Sequence, residues 1–226
     1  MSIARRGLRR RVVLIAALAL VLVVAAGYAV LFSPLLVAEH VTVTGNRQVT
    51  RAQVIAAAKV ESSQPLARQD VDAIARRTLA LPAVETATAV RKWPDTIEIS
   101  ISERRPVLAV RDMNGYVLVD RNGVAYQPSQ SVPAGVVVAN VRVTDQRLLR
   151  EVAIVGSALP GSLRNKVSSL AAFDPDRISV VLKSGVTVNW GNSSDSPLKA
   201  DIVLALLKRK PAASIDVSSP HNPAAR

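Results

Sequence analysis

The chain has 226 residues, no cysteine and a formal net charge of +12, with 29 Lys and Arg residues against 17 Asp and Glu. The cysteine count excludes disulfides and thiolate metal sites, and two histidines offer no basis for a His-based triad or metal cluster. Two Phe, two Trp and three Tyr are too few for the stacking platforms of single-stranded nucleic-acid binders. We therefore predict no metal and no nucleic-acid partner, and interpret the charge as suited to an anionic membrane or envelope.

The N-terminal region divides into a basic part and an apolar part. Residues 12–36 contain no charged side chain, and residues 12–32 are mainly Val, Leu, Ala and Ile. At about 1.5 Å per helical residue, this stretch spans the roughly 30 Å hydrocarbon core of a bilayer. Because basic flanks stay in the cytoplasm, we predict a cytoplasmic tail over 1–11, a transmembrane helix over 12–32 and an extracytoplasmic remainder. The residues that set this orientation are Arg5, Arg6, Arg9, Arg10 and Arg11.

A cleaved signal peptide is the alternative interpretation of the same stretch. Its apolar core is usually about 7–15 residues long, which is shorter than the run found here. Small residues at Ala25, Ala26, Gly27 and Ala29 are nevertheless compatible with cleavage. Both interpretations place the remaining residues across the membrane.

The first exported part shows the element order β-α-α-β-β. Alternation of apolar and polar residues predicts the strands, and a capping box at Thr50–Gln53 predicts the start of the first helix. This order is typical of an α+β module, with a three-stranded sheet and two helices on one face. The predicted elements are strand 41–44, a helix from Thr50 through Ala58, a helix from Asp70 to before Pro82, and strands 84–91 and 96–102.

From Pro106 onward the pattern predicts a β-rich part with Asn-Gly turns. The predicted strands are 107–111, 116–120, 124–126, 136–138, 177–182, 186–190 and 213–217, and the predicted helices are 146–157, 162–173 and 197–210. The last helix is expected to bury the stripe of Leu198, Ile202, Ala205 and Leu206. Two prolines and small polar residues after residue 219 predict a frayed end.

No set of residues in the chain has the pattern of a catalytic site. Asp174 and Asp176 flank Pro175 and could be paired carboxylates, but Asp at these positions is typical of a turn that ends a helix. Gly-rich phosphate loops and nucleophile motifs are also missing from the sequence. We therefore predict a protein that is not an enzyme and that uses no cofactor.

A longer ordered pattern runs through the chain. Residues 81–106 contain Pro82-Ala-Val84, a basic-basic-Trp-Pro turn at residues 91–94, an alternating strand and Glu103-Arg-Arg-Pro106. The pattern also includes Val41-Thr-Val-Thr-Gly-Asn46, the turn Asp120-Arg-Asn-Gly123, a helix with Lys199, Leu204, Leu206 and Leu207, and Ile215-Asp-Val217. This set resembles the signature of the FtsQ/DivIB bacterial cell-division proteins, and the resemblance covers essentially the whole chain.

The resemblance implies an α+β fold. An N-terminal transmembrane helix would be followed by a POTRA (polypeptide-transport-associated) domain over 37–105, a mixed β domain over 106–219 and a flexible tail over 220–226. It also implies a bitopic, non-enzymatic scaffold of the divisome, expected at the division septum. Such a scaffold binds FtsB/DivIC-like and FtsL-like proteins and other divisome proteins, and helps to regulate septal peptidoglycan synthesis.

The last predicted strand is the candidate partner-binding site. A strand near the end of a sheet is an open edge, and an open edge is a template for a partner strand. The resemblance places partner binding at this edge, and we predict that Val217→Pro weakens it. Ile215 and Val217 either present one face to the partner or belong to the core. The residues predicted for the edge are Ser214, Ile215, Asp216, Val217, Ser218 and Ser219, and by looser resemblance Arg177 is expected to pair with a partner carboxylate.

Two other functions are compatible with parts of this pattern. POTRA modules also occur in polypeptide transport or assembly in the envelope, but such proteins normally carry several modules and a membrane barrel. The second alternative is a secreted binding protein with a cleaved signal peptide, and cleavage near Ala26 would favour it.

Overall fold

The structure is a computed structural model that describes residues 3–32, 36–209 and 212–225. It begins with a 30-residue helix, α1 (Ile3–Phe32). Within α1, Val13–Phe32 has a mean hydropathy of 2.8 and is not buried against the rest of the protein. A long apolar helix exposed in this way is compatible with a transmembrane anchor. The chain forms two compact units that divide between Glu103 and Arg104, and α1 is part of the first unit.

The first unit has the predicted β-α-α-β-β order. Its elements are β1 (His40–Thr44), α2 (Arg51–Ala58), α3 (Val71–Leu79), β2 (Val84–Lys92) and β3 (Thr96–Glu103), with a short 3-10 helix at Leu66–Arg68. The strand order is β1-β3-β2, with β1 parallel and β2 antiparallel to the central β3. The predicted fold class of this part is confirmed.

Local capping and alternation explain why these elements form. Thr50 closes a capping box with Gln53 at the start of α2, and Asp70 accepts a hydrogen bond from the Ala73 N–H at 2.9 Å at the start of α3. Ile97 and Ile99 alternate along β3 with half-buried polar residues and share one core with residues of both helices. The period of two therefore fixes which face of the sheet the helices cover.

The second unit is a nine-stranded mixed sheet with order β12-β11-β10-β9-β8-β7-β4-β5-β6. Its strands are β4 (Pro106–Asp112), β5 (Gly115–Asp120), β6 (Ala125–Ser129), β7 (Val137–Asn140), β8 (Val167–Ala172), β9 (Ile178–Leu182), β10 (Thr187–Gly191), β11 (Ser214–Asp216) and β12 (Ala224–Ala225). Its helices are α4 (Gln146–Ala158), α5 (Gly161–Arg164) and α6 (Ser196–Arg209). The helix α4 joins the parallel strands β7 and β8, and α6 joins the parallel strands β10 and β11.

The predicted helix over 162–173 is wrong. Residues 161–164 form the single turn α5, and residues 167–172 form β8, which pairs with β7 on one side and β9 on the other. The apolar residues Leu163, Val167 and Leu170 have helical spacing, but a short apolar run does not distinguish helix from strand. Pairing on both sides decides the conformation, and Phe173, which was placed in the helix, is 94% exposed.

The buried face of α6 also differs from the predicted stripe. Leu198 is 45% exposed and Ala205 is exposed, while Lys199, Ala200 and Val203 are buried. The indole Nε1 of Trp190 donates to Ser196 Oγ at 3.0 Å inside the unit. This contact ties the first turn of α6 to β10 and so helps to set the rotation of the helix. The predicted end of the helix at Lys210 lies outside the described residues.

Candidate partner-binding site

The strand β11 lies near one end of the nine-stranded sheet, parallel to β10, with Thr187 opposite Ser214 and Asn189 opposite Asp216. Ile215 is 1% exposed and Val217 is fully buried, and both belong to the core of the second unit. Of the two alternatives for these side chains, a face presented to a partner or a place in the core, the structure shows the second. These two apolar side chains are therefore not available at the surface, whereas Ser214 is exposed and Asp216 is partly exposed.

Successive residues of β11 direct their backbone N–H and C=O groups to opposite sides of the strand. The N–H of Thr187 donates to the Ala213 carbonyl at 3.3 Å, and the N–H of Val217 donates to the Asn189 carbonyl at 2.9 Å. Residues 213, 215 and 217 thus face β10, whereas Ser214 and Asp216 direct their backbone groups outward. Val217→Pro would remove a bond to β10 and loosen β11 itself, so it does not isolate the outer edge.

The side chain of Asp216 shapes the end of β11. Its Oδ2 accepts from Asn189 Nδ2 at 2.9 Å, and its Oδ1 accepts from the Ser218 N–H at 2.9 Å and from Ser218 Oγ at 2.7 Å. Gly191, with φ of 73°, passes so close that an added Cβ would lie 2.9 Å from the Ser218 Cβ. The chain bends after Asp216, and the strand has three residues, shorter than the predicted 213–217.

The outer side of β11 is covered by the chain itself. The strand β12 runs antiparallel to β11, with Ala225 opposite Ile215 and Ala224 opposite Asp216. This pairing differs from the frayed end predicted after residue 219, because a local pattern carries no information about a distant strand edge. A cleft of about 220 Å³ lies beside the two strands and is lined by Thr187, Asn189, Ser214, Ile215, Asp216 and Ala224.

The opposite end of the sheet is built differently. It is formed by β6, which pairs with β5 over residues 125–129 and contains Pro128. Proline has no N–H to donate, and natural sheets use it on edge strands to prevent further strand addition. Of the two sheet ends in the described part of this unit, the one at β11 is therefore better suited to receive another strand.

Arg177 lies at the same end of the strands as Ser218. It precedes β9, whose first residue, Ile178, pairs with Gly191 of β10, and Gly191 is next to Ser218. The side chain is 79% exposed, and its Nε donates to Asp174 Oδ2 at 2.7 Å. Because β10 lies between β9 and β11 and strands are usually about 4.8 Å apart, the strand that follows Arg177 lies roughly 10 Å from β11. It can therefore present positive charge near the end of β11.

Glu103 holds the loop before α2 in the first unit. Its Oε1 accepts from the backbone N–H groups of Arg47, Gln48 and Val49 at 2.7, 2.9 and 2.8 Å. Desolvation raises the pKa of this carboxyl, but the three backbone donors and the charge of Arg47 outweigh it, so the pKa is lowered. The Glu103-Arg-Arg-Pro106 motif thus begins with a carboxylate that joins β3 to the loop after β1.

Asp120 has a comparable role in the second unit. Its Oδ1 accepts from the N–H groups of Asn122 and Val124, both at 2.9 Å, and its Oδ2 pairs with Arg104 Nη1 at 2.5 Å. Gly123 has φ of 77°, and an added Cβ there would lie 2.6 Å from the Arg150 Cα. The Asp120-Arg-Asn-Gly123 motif is therefore explained by a buried acceptor and a glycine that a helix backbone approaches closely.

Two further groups differ from what the sequence indicated. Lys199, expected only as part of a helix pattern, is 1% exposed and donates through Nζ to the Asn192 carbonyl at 2.9 Å, and burial lowers its pKa. Glu39, His40 and Asp95 bring potential ligand atoms within 4.8 Å of one another, although no His-containing cluster was expected. All three are at least partly exposed. The five N-terminal arginines lie within α1, and the structure does not describe their side chains.

An apolar N-terminal helix, a POTRA-type module and a β-rich second unit define the class of this protein. Residues 37–104 match the family described as POTRA domain, FtsQ-type, and residues 108–218 match the family described as cell division protein FtsQ/DivIB, C-terminal. The chain belongs to the FtsQ/DivIB family of cell-division proteins, as its sequence pattern predicted.

Two FtsQ relatives from Streptomyces support this assignment along most of the chain. A cell division protein FtsQ of Streptomyces collinus is 36% identical over 96% of this chain and 89% of its own length. An FtsQ of Streptomyces griseus is 34% identical over 82% of this chain and 95% of its own length. The solved extracytoplasmic domain of DivIB from Geobacillus stearothermophilus is 20% identical with a TM-score of 0.36, covering 49% of this chain and 99% of that domain. Family membership and α1 together fit a membrane protein.

Proposed function

We propose that this chain is a bitopic scaffold of the divisome. In this proposal α1 anchors it in the cell membrane, with the basic tail 1–11 in the cytoplasm and the domains 37–105 and 106–219 outside. The scaffold gathers at the division septum, binds FtsB/DivIC-like and FtsL-like partners and helps to regulate septal peptidoglycan synthesis. It acts by binding, without catalytic turnover or a cofactor.

The observation that carries the proposal is the outward backbone of β11. Ser214 and Asp216 direct backbone groups away from β10, and the cleft of about 220 Å³ beside them has room for a side chain larger than that of Ala224. A partner strand added here gains backbone hydrogen bonds from the edge and specificity from the cleft. The proline on β6 at the opposite edge makes strand addition there less favourable.

Arg177 supplies the electrostatic part of the proposal. Its guanidinium is exposed and forms an ion pair with Asp174 across a short i,i+3 turn. An exposed pair of this kind contributes little to stability, because water and salt screen it. The guanidinium can therefore exchange Asp174 for a partner carboxylate at small cost, which would steer the partner and fix its register.

A matched pair of substitutions at Ser214 tests the edge. Ser214→Pro removes one outward N–H from β11, while Ser214→Ala removes only an exposed hydroxyl and keeps the N–H. A net hydrogen bond contributes about 1 kcal/mol, so we expect Ser214→Pro to weaken partner binding roughly fivefold or more and Ser214→Ala to change it less than about twofold. The measurement is a titration of the full chain in nanodiscs with the extracytoplasmic segment of the FtsB-type protein from the same organism.

The fold of both variants is checked in the same samples. Trp190 is fully buried in the second unit, so in a Trp93→Phe background its fluorescence reports whether the core around β10 and α6 is intact. Equal affinity of Ser214→Pro and wild type, with an unchanged Trp190 signal, would show that the partner does not use this edge.

A further inference from the structure

We propose that the segment after Ser219 is a built-in competitor that covers the partner-binding edge, so that a partner strand must displace it. This inference rests on the proposed function, because it concerns the regulation of the same edge. The competitor is the strand β12, which pairs with β11 through Ala224 and Ala225. The partner it excludes is an extended peptide strand.

The register shows that β12 and an added strand need the same backbone groups. Ala224 lies opposite Asp216, whose N–H and carbonyl point away from β10, and Ala225 lies opposite the neighbouring Ile215. Ala224 also lines the cleft that a partner side chain would enter. One strand edge offers a single row of donors and acceptors, so β12 and a partner strand cannot pair with β11 at the same time.

The covering strand is short and weakly held, as a displaceable competitor must be. It has two residues, both alanines with exposed side chains, so it buries little apolar surface. Pro223 directly precedes it and cannot donate to the ladder, and Pro220 lies at the start of the segment. Between the prolines, Asn222 donates its N–H to the Ser219 carbonyl at 2.9 Å, which turns the chain back toward β11. A two-residue ladder opens at low cost, so the edge is covered but accessible.

The competition has a simple quantitative form. The apparent dissociation constant of the partner equals its intrinsic value divided by the fraction of molecules with an open edge. When the segment is removed, the edge of β11 is open in every molecule. When β12 is permanently linked to β11, the edge is covered in every molecule. For a ladder of two residue pairs we expect removal to tighten binding roughly three- to tenfold.

Two variants of the full chain in nanodiscs test the inference. The first ends at Ser219. The second carries Asp216→Cys and Ala224→Cys, a pair of residues directly opposite each other in an antiparallel ladder, where Cα atoms about 5.5 Å apart suit a disulfide. The natural chain has no cysteine, so no other disulfide can form. Because the oxidised and reduced forms share the same substitutions, comparing them cancels the loss of the hydrogen bonds that Asp216 makes.

A titration with the FtsB-type segment gives the decisive comparison. We expect the chain that ends at Ser219 to bind roughly three- to tenfold more tightly than wild type. The oxidised double-cysteine chain should bind at least about tenfold more weakly than its reduced form. Equal affinity of the oxidised and reduced forms, or no gain on removing the segment, would overturn the inference.

Hydrogen exchange without any partner separates this inference from the proposed function. Removing the segment should speed exchange of the outward amide of Asp216, which lies opposite Ala224, while the amide of Val217, which donates to the Asn189 carbonyl, stays protected. Unchanged exchange at Asp216 would overturn the covered edge itself. If exchange responds as expected but no form of the chain binds the FtsB-type segment, the proposed function fails and the competition fails with it, although the edge is covered.

Discussion

Asp120→Ala should destabilise the second unit more than most single substitutions. The substitution removes a carboxylate that is 1% exposed, together with its bonds to two backbone N–H groups and to Arg104. The Arg104 side chain is 18% exposed, so its charge loses its ion pair with Asp120 in a mostly dry environment. Leaving one member of a buried ion pair behind is strongly destabilising.

The magnitude can be worked from these contacts. Breaking a buried pair costs about 3–5 kcal/mol, and the partial exposure of Arg104 places the expected loss near the lower end, at about 3 kcal/mol. For a domain with a urea slope near 1.5 kcal/mol per molar, this loss lowers the unfolding midpoint by about 2 M. Asp120→Asn keeps an oxygen for the two backbone donors but faces Arg104 without a charge, so we expect about half of that loss.

The two tryptophans provide the assay, because each unit contains one. Trp190 is buried in the second unit, and Trp93 is 53% exposed in the first. In a Trp93→Phe background, urea unfolding followed by Trp190 fluorescence therefore reports the second unit alone. A midpoint lowered by less than about 0.5 M in Asp120→Ala would refute the reasoning, since a loss under about 1 kcal/mol is typical of an exposed pair.

The pKa values of the Glu103 carboxyl and the Lys199 amino group are both lowered, so each group makes stability rise with pH, Glu103 in the acid range and Lys199 in the alkaline range. Glu103→Gln should lower the free energy of unfolding by about 1 kcal/mol at neutral pH and speed amide exchange at residues 47–49. Because the pKa of Glu103 is lowered from 4.5, the wild type has this advantage above pH 4.5 and loses it as pH falls below that value. Lys199→Met should flatten the alkaline side of the stability curve of the second unit. The pKa of Lys199 is lowered from 10.5, so the unfolded state binds more protons just below pH 10.5 and the wild type gains stability there as pH rises. A constant difference between variant and wild type across either range, in exchange or in Trp190 unfolding, would contradict these assignments.

Much of the first unit could be predicted because its determinants are local. Thr50 and Asp70 cap their helices within three residues, and Ile97, Ile99 and Ile101 alternate on one strand. Such signals depend on the geometry of a single turn or a single strand. The family was also predicted correctly, because its motifs are short ordered segments that a sequence displays directly.

The candidate site could be predicted only in part. The position of the last strand follows from the alternation of Ile215 and Val217, but the same alternation fits both an exposed face and a core face. The side chain of Asp216 and the close approach of Gly191 end the strand, and neither contact has a local signature. The acceptor role of Glu103 for residues 47–49 was missed for the same reason, since more than fifty residues separate donor and acceptor.

The sequence by itself determined the apolar helix, the order of elements in the first unit, seven of the nine strands of the second unit and the family. Each of these depends on apolar side chains that recur along the sequence with a fixed period and are buried away from water. This periodicity is a property of neighbouring residues. Only the tertiary structure decided that residues 167–172 form a strand, that α6 buries Lys199 rather than Leu198, and that Ala224–Ala225 covers β11. In these cases two local conformations or faces were compatible with the pattern, and hydrogen bonds and packing to residues far along the chain selected one of them.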